Sequence, residues 1–445
     1  MNNTQANKPN HSIFLSFPEV DIPVQGIGQV PIPRMYTIRQ KYDSQKLDDV
    51  GKHLRERMQA VLPDGSQWKG KRLAITVGSR GIPKLNVMVR TLCDVCKEWG
   101  AHPFIVPSMG SHGGATAQGQ AEMLAAYHIT EETMGVPILS SMEVVEYGQI
   151  DTVHLYCDKY AWEADGIIVF NKIKPHTDFH SDHESGLVKM IAIGLPNHKG
   201  ASSLHAQGFD RFPELLPRIA EAFLAQGKVA FGVGMIQNAY DDICALDVCL
   251  PEDLISFDGR MLQQARKRLA QFKFLNCDVL IVDEIGKNIS GAGCDPNVTG
   301  RGNSGTYPDV LDLKRLVILG VSEKSHHNGV GINLADVTTR RCLESIDWYS
   351  TWVNALTIIM PKAGSIPLYA NTAQDAIRLA IRTCPRTNYR KAKIARVKNT
   401  LSMDVIQVSE ALYDEIKDRD DVELISGPKE MVFDDVGNLS DIWTA

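Results

Sequence analysis

The sequence predicts an α/β fold: two α/β domains with mainly parallel sheets and an active-site cleft between them. Three observations carry the prediction. Short apolar runs rich in Val and Ile alternate along the chain with amphipathic stretches of helical period. The repeated strand–helix–strand order is that of a βαβ unit, which sets successive strands parallel. The chain has 445 residues, more than one domain of about 100–200 residues accommodates.

The opening MNNTQANKPNHS is polar, and residues 1–20 are expected to be poorly ordered. Residues 21–35 (DIPVQGIGQVPIPRM) mix Pro, Gly and β-branched side chains and predict short extended pieces. KRLAITV (71–77) reads as a buried strand, 84–99 as a helix stopped at Gly100, HPFIVP (102–107) as the next strand and 117–127 as the next helix. DGIIVF (165–170) and KVAFGVGMI (228–236) are strands, with helices at 212–226 and, basic and amphipathic, at 259–273. CDVLIVDE (277–284), KRLVILGV (314–321) and AKIARV (392–397) are further strands, with helices near 349–358, 372–383 and 408–417. The Gly-, Asn- and Pro-rich stretch 285–308 is a long loop, of the kind that is usually functional or disordered. A boundary near 255–275 divides an N-terminal domain, 21–260, from a C-terminal α/β domain, 261–445.

A formal net charge of −6 argues against a nucleic-acid partner, which needs a basic face. It leaves room for a local pocket that takes a small anion. No apolar run approaches the ~18–20 residues that span a bilayer, and the N-terminus has no apolar signal core. Nine scattered cysteines, an odd number, read as reduced thiols. These features predict a cytoplasmic protein with no membrane partner. Cys93 and Cys96 form a CxxC inside the helical pattern NVMVRTLCDVCKEWG, where two buried helix cysteines are expected; no second CxxC completes a zinc site.

Ligands of parallel α/β sheets sit off the carboxyl ends of the strands, and three unusual loops follow strands here. The first is Gly78-Ser79-Arg80-Gly81-Ile82-Pro83. Its backbone amides and Arg80 suit an anion, though an ordinary turn with a surface arginine reads the same. The second, Ser108 to Thr116, sets His112 among Gly110, Gly113 and Gly114. Glycine lets backbone approach a ligand and histidine titrates near neutrality, so His112 is a candidate general base; a surface histidine in a flexible turn is the alternative. The third runs from Asn171 through Lys172, Lys174, His176, Asp178, His180, His183 and Glu184 to Ser185-Gly186-Leu187-Val188-Lys189. With His198 and His205, five of the thirteen histidines fall within thirty residues, a density that points to a metal or catalytic site. Lys189 lies in the apolar run LVKMIAIGL, where burial would depress its pKa and make it nucleophilic; a lysine that reaches water from a strand end is the alternative.

Together these loops resemble those of the nickel-dependent lactate racemase family, the nickel-pincer-nucleotide isomerases, from Asp21 to the helix near 408–417. The resemblance implies a racemase or epimerase in which a secondary alcohol gives a hydride to a nickel-pincer nucleotide and regains it on either face. The cofactor is a pyridinium mononucleotide with two sulfur donors, one joined to a lysine as a thioamide, and a histidine completes the nickel site. By position, Lys189 in Ser185-Gly186-x-x-Lys189 matches the attachment lysine, with Ser185 and Gly186 as cofactor contacts. His205, sixteen residues later, matches the nickel ligand, with His198 in reserve. His112 in Gly-Ser-His-Gly and His176 in Lys-Pro-His match the acid/base pair, Arg80 a cofactor or substrate contact, and Lys287 in Asp-Glu-Ile-Gly-Lys-Asn a substrate contact. Cofactor-synthesis proteins would be needed for loading.

Two departures matter. Val77 stands where the family carries an aspartate three residues before the arginine. The interval from His176 to Ser185 is about three residues longer, and it carries His180, Asp182 and His183. That segment implies a substrate other than lactate, a 2-hydroxy acid or related polyol or sugar acid, with His180 and His183 as substrate contacts. A second reading of the same residues is a divalent-metal hydrolase or lyase without a nucleotide, its ligands His176, Asp178, His180 and His183. A third is a cofactor carrier without catalysis. A plain metal site has no use for Lys189, and a carrier has none for a base such as His112 on a separate loop.

Overall fold

The computed structural model describes residues 11–21, 24–78 and 81–443. It is an α/β structure of two compact units. One holds Asp43–Leu269; the other holds the described residues up to Tyr42 together with Ala270 onward.

The 43–269 unit is built on a five-stranded sheet in the order His102–Pro107, Arg72–Val77, Gly166–Lys172, Val229–Gln237, Ile243–Cys249. The first four strands are parallel and the last is antiparallel. Both faces are covered, which explains the near-continuous apolar runs. The period-two alternation divides the side chains: Leu73, Ile75 and Val77 enter one core, and Ala74 enters the other. Helix Leu85–Glu98 buries Met88, Val89, Leu92, Cys93 and Cys96 on the first core. Burial pushes the Cys93 thiol up to about 12, so the CxxC is a pair of inert core residues. The chain leaves that helix through Gly100 at φ 76°, a left-handed position that glycine adopts without strain.

The expected helix 259–273 is instead Leu254–Lys267, preceded by a single turn at Pro251–Asp253. Phe272, which the expected range included, is with Phe274 a core residue of the other unit. Helix Val50–Val61, the hairpin Val144–Ile150 with Val153–Asp158, and helix Asn197–His205 have no counterpart in the sequence reading.

The other unit carries an eight-stranded sheet in the order Leu368–Ala370, Val337–Thr339, Asp312–Ile318, Asn276–Val282, Ile394–Val397, Val405–Ser409, Met35–Gln40, Val422–Lys429. Its first five strands are parallel and the remaining pairings antiparallel. Strand Met35–Gln40 therefore belongs with the C-terminal part of the chain, not with the range 21–260 in which its position in sequence put it. Residues 1–10 lie outside the described residues. Residues 11–20, read as poorly ordered, are tied down at three points: the amides of Ile13, Phe17 and Val20 donate to Asp347, Glu344 and Asn371 at 2.9, 3.2 and 2.9 Å. Stretch 285–308 contains a short helix, Pro296–Thr299, and a small ladder between Arg301–Gly302 and Gly305–Thr306. The nine cysteines are unpaired and buried. Among the described residues no helix is long and apolar enough to cross a membrane.

Candidate functional site

Strand Gly166–Lys172 delivers the third loop at its carboxyl end. The loop is closed on itself by a backbone pair between Lys174 and Ser185, at 2.8 and 3.2 Å. Beyond Gly186 the chain turns helical at Leu187–Lys189, then widens into a π-helical turn, Met190–Gly194. Such turns are rare and frequent at functional sites. Helix Asn197–His205 follows and ends on His205. The His112 loop is stitched to the π turn: the Gly110 amide donates to the Gly194 carbonyl at 3.1 Å, and a Cβ on Gly110 would crowd the Ile193 carbonyl.

His176 and His205 come together on one aromatic ring. The centroid of Phe209 is 5.9 Å from that of His176 and 5.7 Å from that of His205. Phe179 and Phe212 complete the apolar wall, at 4.5 Å from His176 and 5.4 Å from His205 respectively. Burial lowers the pKa of His205 below the ordinary imidazole value, and Lys189 adds to the effect against the Ala201 hydrogen bond. Burial drives His176 well below that value too, reinforced by Lys189, Lys174 and His205. Both rings are therefore neutral at pH 7. The Asp178 amide donates to His176 Nδ1 at 3.0 Å, so the neutral ring carries its proton on Nε2.

Lys189 is half-buried among these groups. Burial of its amine brings the pKa down to about 7, with Asp178 opposing the shift and Lys174 assisting it. Its Nζ makes no hydrogen bond or ion pair among the described residues. A second desolvated amine, Lys172, also falls to about 7 through burial. It donates to the Gly81 carbonyl at 2.8 Å and to the Gln237 side chain.

His180 and His183 each face a buried carboxylate. His180 Nδ1 is 3.3 Å from Glu184 Oε1, and His183 Nδ1 is 3.1 Å from Asp258 Oδ2. Glu184 also accepts from the His176 and Ser181 amides and from Arg266, at 2.6, 3.0 and 2.5 Å. Its own burial works against ionisation, but these donors together hold its pKa below the usual value. Of the four ligands of the metal-only reading, His180 and His183 are turned to Glu184 and Asp258, and His176 Nδ1 lies 3.8 Å from Asp178 Oδ2. Among the described residues no group of three or more His, Cys, Asp or Glu is placed to hold a metal ion.

A known family, described as a domain of unknown function (DUF362), matches residues 82–286, less than half of the chain. No curated protein matches the sequence. Among solved structures, the chain is similar to the lactate racemase apoprotein from Thermoanaerobacterium thermosaccharolyticum at 12% identity, over 82% of this chain and 99% of that one, with a TM-score of 0.48. It is similar to a protein from Thermotoga maritima at 13% identity, over 75% of this chain and 84% of that one, with a TM-score of 0.47.

Of the residues singled out from sequence, His176, Lys189 and His205 are brought together, and the His112 loop packs on the turn that follows Lys189. His198 is exposed and bonds Ser202 at 3.2 Å. Arg80 lies outside the described residues. Lys287 belongs to the other unit, where its Nζ donates to the Gly291 carbonyl at 2.6 Å. Sequence reasoning missed Phe209, Arg266 and Asp258 as parts of the site. Only Phe209, four residues after His205, had a local signal; Arg266 and Asp258 reach the loop from a helix over 70 residues away.

Proposed function

We propose that this protein is an isomerase, a racemase or epimerase that inverts the carbinol carbon of a 2-hydroxy acid or related polyol or sugar acid with a nickel-pincer nucleotide joined to Lys189. The observation that carries this reading is Lys189 itself: a desolvated amine beside two neutral histidines, with no hydrogen-bond or ion-pair partner among the described residues. An amine with a pKa of about 7 is about half unprotonated at neutral pH, whereas an ordinary lysine near 10.4 is almost wholly charged. Such a group fits covalent attachment and has no evident structural use.

His205 fits the metal. Its Nδ1 contacts the Ala201 carbonyl at 2.6 Å, which leaves Nε2 with a lone pair in the neutral ring, the usual arrangement of a ligating histidine. When bound, the nucleotide would supply a hydride acceptor at the substrate carbon. The protein's own residues do the rest. His112 and His176, on two loops, are the acid/base pair for the hydroxyl proton, His176 entering with its own proton on Nε2. Arg80 would hold the substrate's carboxylate, with His180 and His183 as further substrate contacts. Phe179, Phe209 and Phe212 exclude water around the two rings.

Protein produced together with the cofactor-synthesis proteins tests the reading without an activity assay. Peptide mapping should find an adduct of a few hundred daltons on Lys189 and none in Lys189→Ala. An adduct on another lysine, or an adduct that persists in Lys189→Ala, would overturn it.

A further inference from the structure

The short helix that carries Lys189 has no cap of its own. Its N-cap position is Gly186, which offers no side chain to the first amides. Those amides are met from elsewhere: Asp258, on helix Leu254–Lys267, accepts from the Leu187 amide at 2.6 Å and from the Val188 amide at 3.4 Å. Its other oxygen faces His183 Nδ1 at 3.1 Å. The carboxylate is 1% exposed. Gly186 makes this approach possible. Its backbone is ordinary extended chain, so conformational freedom is not why glycine stands there; a Cβ would overlap Asp258 Oδ1.

We infer that Asp258 is a positioning residue, a single buried carboxylate that fixes both the Lys189 turn and the loop carrying His176. Among the described residues it hydrogen-bonds neither Lys189 nor His176 but holds the backbone in front of the first and, through His183, the segment behind the second. Gly186 of the Ser-Gly-x-x-Lys motif then serves Asp258 rather than a ligand. The functional consequence rests on the proposed role of Lys189; the geometry does not.

The test uses the full chain purified without cofactor. In Asp258→Asn, amide exchange at Leu187 and Val188 should speed by roughly tenfold, as loss of a charge-assisted hydrogen bond implies. The pH profile of Lys189 acetylation, read by mass spectrometry, should move up from about 7 as the amine leaves its buried place. Exchange in strand Arg72–Val77 and the acetylation profile of Lys172 should not change. If Asp258→Asn does not fold, Gly186→Ala carries the test, since its Cβ displaces the carboxylate without altering its charge. Unchanged exchange and an unchanged Lys189 profile would overturn the inference, and so would equal changes at the control positions. If the variants show these shifts yet the wild-type protein gains no adduct during co-production, the proposed function falls and the role of Asp258 stands.

Discussion

Nδ1 of His205 lies 2.6 Å from the carbonyl oxygen of Ala201, one turn back on the same helix. That contact puts the ring proton on Nδ1 and the lone pair on Nε2, and burial keeps the ring neutral. Nickel content of cofactor-loaded protein should therefore fall to background in His205→Ala. It should hold in His198→Ala, whose ring is exposed. Metal analysis of the two variants decides; the reverse pattern would move the ligand to His198.

Lys189 should titrate far below an ordinary lysine. Acetylation against pH should give a midpoint near 7, not near 10.4. The sign for stability follows. Between these two values the unfolded chain binds the proton and the folded protein does not, so the contribution of this group to stability rises with pH across that window. A labelling midpoint near 10 would mean that the amine reaches water.

Replacement of His112 or His176 by alanine should slow turnover by roughly 10²–10⁴-fold, the usual contribution of a general base. Both directions must fall together, because the equilibrium between stereoisomers is unchanged. Substrate deuterated at the reacting carbon should keep its label in the product. Solvent deuterium arriving at that carbon during turnover would point to proton abstraction instead.

His180 and His183, replaced together by alanine, should shift the substrate profile. Each ring also contacts a buried carboxylate, so stability should fall by roughly 1–3 kcal/mol, the cost of leaving such a group short of a donor. Denaturant melts and substrate panels separate the two effects. Lost stability with an unchanged profile would leave these histidines as scaffold alone.

Arg266→Ala should be destabilising by a similar amount, roughly 1–3 kcal/mol, because Glu184 is buried and loses its guanidinium partner. The pH dependence has a definite direction. The folded pKa of Glu184 is below the usual value, so its contribution is present above the ordinary carboxylate range and lost as pH falls through the lower folded value. An acid-unfolding midpoint that does not move in Arg266→Ala would exclude this role.

The α/β class was legible because two-sided burial writes strands such as Arg72–Val77 and Gly166–Lys172 as unbroken apolar runs, with amphipathic helix Leu85–Glu98 between the first and its neighbour. The strand of residues 35–40 was not legible as part of the C-terminal sheet, because pairing with residues 405–409 and 422–429 leaves no mark near it in the chain. The histidine-rich loop and the Ser-Gly-x-x-Lys motif were visible as local patterns. What those side chains face was not. Asp258 and Arg266 come from a helix some 80 residues beyond the loop, and their carboxylate and guanidinium decide where the Lys189 turn, His180 and His183 are held. The sequence by itself determined which titratable groups this protein carries and that they crowd one loop; tertiary structure decided their protonation and partners, because desolvation and hydrogen bonding depend on distances in space that sequence separation does not encode.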